Sequence, residues 1–349
     1  MRPGRVVVFS LAMALAGMAA SPALARRPPP VIVPPPPLPP PPPPMPGVGL
    51  GSRFVADAAA YETYVEDAGS ISPAFTDADN IQAELKTGVG YEPGQLRRGA
   101  VAYAAIAALT DPVFVADVRR LGATPQQRYE MVAKIFASPA RALDFADGYK
   151  AAGLAKQALA AAGMRLFDDG NRVKMSAYSI QHQAWSLTEI PDRDGRAAAV
   201  KRLSSTQHTA PLAEEAQLEA LVEGGPSTID PEGPAGGPYS LLVVRAVALA
   251  ALAAIGEAND DAAPRLRWMS DDYYLDHCLA EAKLALFECL AVAKPNYEDI
   301  FCLGQHAMKD TGACLVKATG AVVPIEIETT PIKLPRVHVR RAPVRRRRA

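Results

Sequence analysis

The fold is decided by residues 271–314, DDYYLDHCLAEAKLALFECLAVAKPNYEDIFCLGQHAMKDTGAC. This stretch holds every cysteine of the chain, and an even number confined to one segment predicts disulfides when the chain matures in an oxidising compartment. Structural zinc is the alternative, but zinc sites usually bring cysteines in pairs about two to four residues apart. Here successive cysteines are 11, 13 and 12 residues apart, and neither His277 nor His306 supplies the missing spacing. We therefore predict two disulfides among Cys278, Cys289, Cys302 and Cys314.

Helix geometry restricts how these cysteines can pair. The segment before Pro295 is helical in character, and the proline predicts a break followed by a second helix. Cys278 and Cys289 lie three turns apart in the first helix, a separation of ~16 Å, whereas a disulfide needs Cα atoms within about 7 Å. An antiparallel hairpin that turns at Pro295 sets Cys289 opposite Cys302. The same hairpin sets Cys278 opposite Cys314, so the predicted disulfides are nested.

The chain from residue 52 onward has the pattern of helices. Apolar residues recur at spacings of three and four, as in Phe54, Ala58, Tyr61 and Val65, and alanine is abundant. Four Ser, Thr or Asp residues directly precede a proline, which is the pattern of a capped helix start. We predict an all-α, multi-helix body with helices around 94–109, 126–136 and 150–164, and helix starts at Ser72-Pro73, Asp111-Pro112, Thr124-Pro125 and Ser138-Pro139.

The first 25 residues have the pattern of a secretory signal peptide. Arg2 and Arg5 precede an apolar core, and Ala23-Leu24-Ala25 matches the small-x-small cleavage site. Met18 stands where a lipoprotein would carry its lipidated cysteine. We predict cleavage after Ala25 and a periplasmic or secreted protein, with an uncleaved N-terminal anchor as the alternative.

Composition divides the rest of the chain into segments. Residues 28–46 contain 14 prolines, which predict a polyproline II spacer, with a ligand for an aromatic groove as the alternative. Glycine and proline are dense again in residues 224–238, which predicts a loop between two lobes. Leu241–Ile255 is apolar but short for a bilayer and contains Arg245, so we predict a buried helix and no transmembrane helix in the mature chain. The predicted segments are a linker (26–51), a helical lobe (52–223), a loop (224–238), a second lobe (239–320) with the hairpin (271–314), and an extended tail (321–349).

The formal net charge of zero hides a strong asymmetry. Residues 52–332 hold all 37 acidic residues against 25 Lys or Arg, a net charge of −12, whereas the tail from Lys333 onward carries +8. An acidic body lacks the basic face that nucleic acids require, so we expect no nucleic-acid partner. Prolines and the terminal arginine run predict a disordered tail. Its charge predicts contact with an anionic envelope polymer or with lipid headgroups through Arg340, Arg341, Arg345, Arg346, Arg347 and Arg348.

The best candidate for a binding site is the segment of residues 173–187, since the chain carries no known catalytic signature. The chain lacks HExxH, a glycine-rich phosphate loop and GxSxG. Residues 173–187, taken as one helix, place a row of polar and aromatic side chains beside an apolar stripe. Such a row could line a pocket for a sugar, a peptide or an anion, with His182 as a base, but a filled seam between helices is the favoured interpretation. The candidate binding residues are Lys174, Tyr178, Gln181, His182 and Trp185.

A second group of polar residues shares one face of the helix after Pro295. Carboxylates and imidazole are metal-ligand types. The predicted disulfide removes the cysteine of the group, and Gly304 weakens the helix, so a charged surface is favoured over a ligand set. We predict neither a metal nor a cofactor. The residues concerned are Asp299, Cys302, His306 and Asp310.

Four stretches of the body carry a resemblance: FVADAAAYETYVEDAGSISPAF at 54–75, QLRRGAVAYAAIAAL at 95–109, VKMSAYSIQHQAWS at 173–186 and KPNYEDIFCLGQHAMKD at 294–310. They resemble a group of uncharacterised exported proteins of sphingomonad-type alphaproteobacteria. The resemblance covers the body from Phe54 to Cys314 and implies a Gram-negative periplasmic setting. It implies no activity, cofactor or catalytic residue.

These observations favour a non-catalytic periplasmic or cell-envelope protein that binds or organises an envelope component. The proline-rich spacer, the basic tail and the missing catalytic signatures support this interpretation. The alternative is an envelope hydrolase with a pocket around Tyr178, His182 and Trp185.

Overall fold

The structure, a computed structural model, describes residues 45–227, 229 and 236–323. Within these residues the chain is helical and forms no β-strand; its β-type pairings are two isolated bridges, between Leu50 and Ala258 and between Glu189 and Pro295. The predicted all-α fold is confirmed. The predicted signal peptide, the polyproline II segment up to residue 44 and the basic tail from residue 324 lie outside the described residues.

Thirteen α-helices follow one another in the described ranges, with two 3-10 segments and one π-helix between them. They are α1 (Ser52–Gly69), α2 (Ala78–Gly88), α3 (Pro93–Leu109), α4 (Pro112–Leu121), α5 (Pro125–Ala137), a 3-10 helix (Pro139–Asp144), α6 (Gly148–Ile180), α7 (Arg193–Ser204), α8 (Leu212–Val222), α9 (Leu241–Ala254), α10 (Ala263–Leu266), a 3-10 helix (Arg267–Ser270), α11 (Tyr273–Val292), α12 (Asn296–Cys302), the π-helix (Leu303–Asp310) and α13 (Thr311–Ala318).

Side-chain caps fix several helix starts. Asp111 caps α4 and Thr124 caps α5 in a capping box, as their sequence patterns predict. Ser138 precedes a 3-10 helix and makes no side-chain cap. The helix start predicted at Ser72 is wrong, because its hydroxyl closes a local turn instead. α2 begins after Asp77, whose carboxylate accepts a 2.8 Å hydrogen bond from a first-turn N–H and suits the positive end of the helix dipole better.

The core is built on α3 and α9, which lie in the middle of the bundle. Both are rich in alanine, and nearly all their side chains are buried. The buried helix predicted at 241–255 is confirmed, and its Arg245 reaches the Asp271 carbonyl at the edge of the core. α3 packs against α1, α6 and α9, so helices on both sides of the 224–238 loop share one core.

No single helix in residues 45–227 and 236–323 is both long and apolar enough to cross a membrane. α3 and α4 meet the length and composition criteria only when joined, and they are bent by 88° relative to each other.

The C-terminal hairpin has the predicted nested disulfides. Cys289 bonds to Cys302 and Cys278 bonds to Cys314, each with its Cα atoms 5.7 Å apart. α11 forms one arm, and α12, the π-helix and α13 form the other. The second arm continues beyond Cys314 to Ala318, so it is longer than the sequence predicts.

The hairpin lies directly against α6, with backbone touching backbone. A Cβ atom added at Gly304 in the π-helix would approach the Lys174 backbone nitrogen and the Gly170 carbonyl closer than the 3.0 Å that real Cβ atoms keep. A Cβ atom at Gly170 would in turn meet the backbone of Lys309. Two glycines on facing helices therefore set the distance between α6 and the hairpin.

Removing each disulfide is expected to destabilise the fold, and the loss is larger for the disulfide that closes the longer loop. From loop-closure entropy, the variant Cys289→Ala/Cys302→Ala, which lacks the inner disulfide, should lose ~3 kcal/mol of unfolding free energy. The variant Cys278→Ala/Cys314→Ala, which lacks the outer disulfide, should lose ~4 kcal/mol. Urea unfolding followed by circular dichroism measures both values, with the native chain carrying both disulfides as the reference. A larger loss from the inner bridge would contradict this ranking.

Candidate functional site

The helix predicted over residues 173–187 ends early. α6 stops at Ile180, and residues 181–188 form turns. The Ile180 carbonyl, in the last helical turn, accepts from the Ser186 hydroxyl at 2.5 Å and from the Gln183 backbone N–H at 2.8 Å, so both bonds tie the turns to the end of α6. Asn296 holds the turns from the other side by donating to a threonine hydroxyl within them at 2.7 Å. The single-helix prediction is therefore wrong beyond Ile180.

The five predicted binding residues consequently occupy different surroundings. Lys174 is buried where α6 meets the hairpin, and Tyr178 is 47% exposed with its ring edge-on to a hairpin phenylalanine at 6.1 Å. Gln181 donates to a backbone carbonyl of α6, and His182 is exposed. Trp185 lies on the turns and donates to a neighbouring glutamine at 2.6 Å. They line neither of the two cavities described below, and their binding role stays a prediction.

The second polar group also separates. Asp299 is fully buried and paired with Arg196, and Cys302 is in a disulfide. His306 and Asp310 form a pair at the surface, with 2.8 Å between Nδ1 and Oδ2. Within the described part of the chain, no three His, Cys, Asp or Glu side chains are arranged to hold a metal ion.

A buried amine in the hairpin serves packing. Lys283 on α11 donates to the Val89 carbonyl at 2.8 Å and to the Ser204 hydroxyl at 3.1 Å. Its ammonium group also lies 3.5 Å from the centre of the Tyr91 ring. Burial lowers the pKa of Lys283 well below its usual value. These contacts tie α11 to the end of α2 and to α7, and they lie away from both cavities.

A polar cavity of about 410 Å³ lies between the N-terminal parts of α1 and α3, the loop at 207–210 and the 3-10 helix after α10. This volume falls in the range of small-molecule sites. Three arginines from three different elements line it, so we call it the arginine cavity. They are Arg53, Arg98 and Arg267.

Hydrogen bonds between distant parts of the chain fix the walls of the arginine cavity. Asp260 accepts from the backbone N–H and the hydroxyl of Ser52, at 2.7 and 2.9 Å, and so anchors the start of α1. Gln95 on α3 holds the loop with two hydrogen bonds to the backbone of His208, of 2.8 and 2.7 Å. Because Arg53 lies in the first turn of α1, the positive end of that helix dipole adds to the field of its guanidinium.

The arginines of the cavity differ in their partners. Arg98 forms an ion pair of 3.1 Å with Asp57, whose pKa is raised by burial and partly restored by the guanidinium. Arg53 and Arg267 form no direct hydrogen bond or ion pair within the described ranges, although the charge of Arg53 lowers the pKa of Asp57 and Glu215 also lines the cavity. The Ser270 hydroxyl is buried at the cavity wall and also lacks a hydrogen-bond partner there. Two guanidinium groups and a hydroxyl are therefore available to an anionic ligand.

A pair of buried carboxyl groups lies next to this region. Glu62 of α1 and Glu214 in the first turn of α8 are within hydrogen-bond range of each other, and one oxygen of each is buried without a donor. The Tyr103 hydroxyl donates to the other oxygen of Glu62 at 3.3 Å. Burial, followed by the contact with Glu214, raises the pKa of Glu62 to about 8. Glu62 therefore keeps its proton at neutral pH.

Sequence reasoning missed the arginine cavity. Arg53 and Arg267 are more than 200 residues apart and belong to no motif. The cap pattern at the start of α3 locates Arg98 near a helix N-terminus, but nothing in the spacing joins it to the other two. The hydrogen bonds between the Gln95 side-chain amide and the 207–210 loop form only in the folded chain.

Comparison with known proteins leaves the site to be interpreted from its own geometry. No protein-family model, no curated protein sequence and no solved structure matches this chain.

Proposed function

We propose that the protein is a non-catalytic periplasmic cell-envelope protein that binds an anionic envelope component in the arginine cavity. The observation that carries the proposal is that Arg53 and Arg267 line this cavity and form no direct hydrogen bond or ion pair within the described residues. An anion that enters the cavity would pair with both guanidinium groups.

The charge of the surrounding body supports a small ligand or a single end group. The body carries a net charge of −12, so its field repels a long polyanion. The arginines create a local exception inside a cavity of about 410 Å³. Carboxylate and phosphate groups match the planar fork of a guanidinium, so the ligand carries one of these groups.

The proposed compartment is supported by covalent chemistry. Both cysteine pairs are bonded, and disulfides persist in oxidising compartments such as the periplasm. The predicted signal peptide and the resemblance to exported proteins point the same way. The basic tail, with Arg345–Arg348, is proposed as a second contact with anionic polymers or lipid headgroups.

Binding of small anions is expected to depend on the two unpaired arginines. Galacturonate and glycerol 3-phosphate serve as carboxylate and phosphate probes, with neutral galactose and glycerol as their matched controls. We expect the native chain to bind at least one anionic probe. The variant Arg53→Gln/Arg267→Gln should bind that probe about tenfold or more weakly, because each substitution removes a charge-assisted hydrogen bond to the anion. Isothermal titration calorimetry measures the change.

Arg202→Gln is the control variant, because it removes an exposed arginine outside the cavity. It should leave the affinity unchanged. Equal binding of the neutral probes, or full affinity in the Arg53→Gln/Arg267→Gln variant, would refute the proposal.

The alternative function, an envelope hydrolase, would need Tyr178, His182 and Trp185 to share one pocket. Tyr178, His182 and Trp185 occupy different surroundings and line neither cavity. No specific observation favours a nucleophile at that place.

A further inference from the structure

A second cavity, distant in sequence from the arginine cavity, lies between α2, α7 and the start of α12. Its volume is about 290 Å³, at the lower end of the range for small-molecule sites. Leu85, Ile190 and Val200 give it an apolar lining, and two buried polar side chains, Arg196 and Asn296, also line it.

The orientation of Arg196 is fixed from behind. Its Nη1 donates to Asp299 and its Nη2 donates to the Leu290 carbonyl, and the side chain is 3% exposed. Gln82 donates to the second oxygen of Asp299 at 3.0 Å and completes the neutral pair. Nε of Arg196 remains as a buried N–H donor without a partner in the described residues.

The orientation of Asn296 is fixed in the same way. Its amide nitrogen donates to the Thr188 hydroxyl at 2.7 Å and to the Trp185 carbonyl at 3.4 Å. Both of these partners accept hydrogen bonds, so the nitrogen must face them and the oxygen must face away. Oδ1 of Asn296 is therefore a buried acceptor, and it has no partner among the described residues although the side chain is only 2% exposed.

Leaving one buried donor and one buried acceptor unpaired costs about 1–3 kcal/mol for each group. Native structures rarely keep such groups unless they have a further role. A ligand group that accepts from Arg196 and donates to Asn296 would satisfy both atoms. A secondary amide supplies both functions, and its flanking carbon atoms suit the apolar lining.

We infer that this cavity is a binding site for an amide group, such as an acetamido or peptide unit, held between Arg196 and Asn296. The site uses none of the residues of the arginine cavity, so it does not depend on the proposed function. A sugar hydroxyl is the competing ligand chemistry, and the probes below separate it from the amide.

The test uses the full chain and two small probes, N-acetylglucosamine and glucose, which differ in the acetamido group. We expect N-acetylglucosamine to shift the side-chain NMR signals of Arg196 Nε–H and of the Asn296 amide, whereas glucose leaves them unchanged. Equal shifts with glucose would overturn the amide assignment. The absence of any shift at 50 mM N-acetylglucosamine, a concentration on the order of those used for weak ligands, would overturn the site.

A matched pair of variants on α7 tests the location without touching the polar groups. Ala199 lines the cavity, whereas its neighbour Ala198 is exposed outside it. Ala199→Phe should fill the cavity and weaken the binding of N-acetylglucosamine at least tenfold, and Ala198→Phe should bind like the native chain. Native affinity in Ala199→Phe would contradict the inference. Circular dichroism shows that both variants are folded before the comparison is made.

Discussion

Replacing Gly304 with alanine is expected to destabilise the protein by about 3 kcal/mol. The added methyl group would meet the Lys174 nitrogen and the Gly170 carbonyl, which are backbone atoms of α6 and cannot rotate away. The π-helix would have to move off α6 and would lose the packing of the hairpin. Urea unfolding followed by circular dichroism measures the loss.

Two further variants define the cause. Gly49→Ala is the control, since a Cβ atom there meets nothing within 4 Å, and it should be neutral or slightly stabilising. Gly170→Ala widens the same contact from the other side, so the double variant should cost less than the sum of the two single losses. Additive losses would show that the two glycines act at separate contacts.

Glu62→Gln is expected to stabilise the protein above neutral pH by about 2 kcal/mol. The pKa of Glu62 is raised from an ordinary 4.5 to about 8 in the folded state. Below pH 4.5 both the folded and the unfolded chain hold the proton, so the carboxyl group costs nothing. Between about 4.5 and 8 only the unfolded chain releases it, and the free energy of unfolding therefore falls as pH rises. Partial exposure and screening reduce the full linkage of about 5 kcal/mol for this difference to the smaller value.

The measurement is the free energy of unfolding between pH 4 and 9 for both chains. Glu62→Gln keeps a donor for Glu214, so its stability should depend less on pH than that of the native chain. The charge of Glu66 also raises the pKa of Glu62, and Arg165 in turn lowers the pKa of Glu66. Glu219→Gln removes a charge from the exposed side of α8 and should retain the native slope. Identical slopes for the native chain and Glu62→Gln would show that the pKa of Glu62 is not raised in the folded protein.

The disulfide pattern could be derived from the sequence because local geometry determines it. The rise of a helix excludes a bond between Cys278 and Cys289, and Pro295 provides the pivot. The caps at Asp111 and Thr124 are equally local, since each acts on the next three residues.

The end of α6 and the two cavities depend on contacts between distant parts of the chain. α6 ends at Ile180 because Ser186 and Asn296 stabilise the turns that follow, and Asn296 is 108 residues beyond its partner Thr188. The arginine cavity likewise joins α1, α3 and the segment after α10. The periodicity of one helix carries no information on contacts with distant residues. The single helix predicted over residues 173–187 therefore ends early, because a residue far along the chain stabilises the turns that follow Ile180.

The nested disulfides also determine how the protein would carry mechanical tension. A force applied to the chain beyond Gly320 passes from α13 through the Cys314–Cys278 bond directly into the start of α11. These cysteines are 36 positions apart, and the chain between them, roughly 120 Å when extended, cannot be drawn out while the bond is intact. α12 and the π-helix would therefore carry no tension. A force applied at the C-terminal end would be transmitted to the helical core.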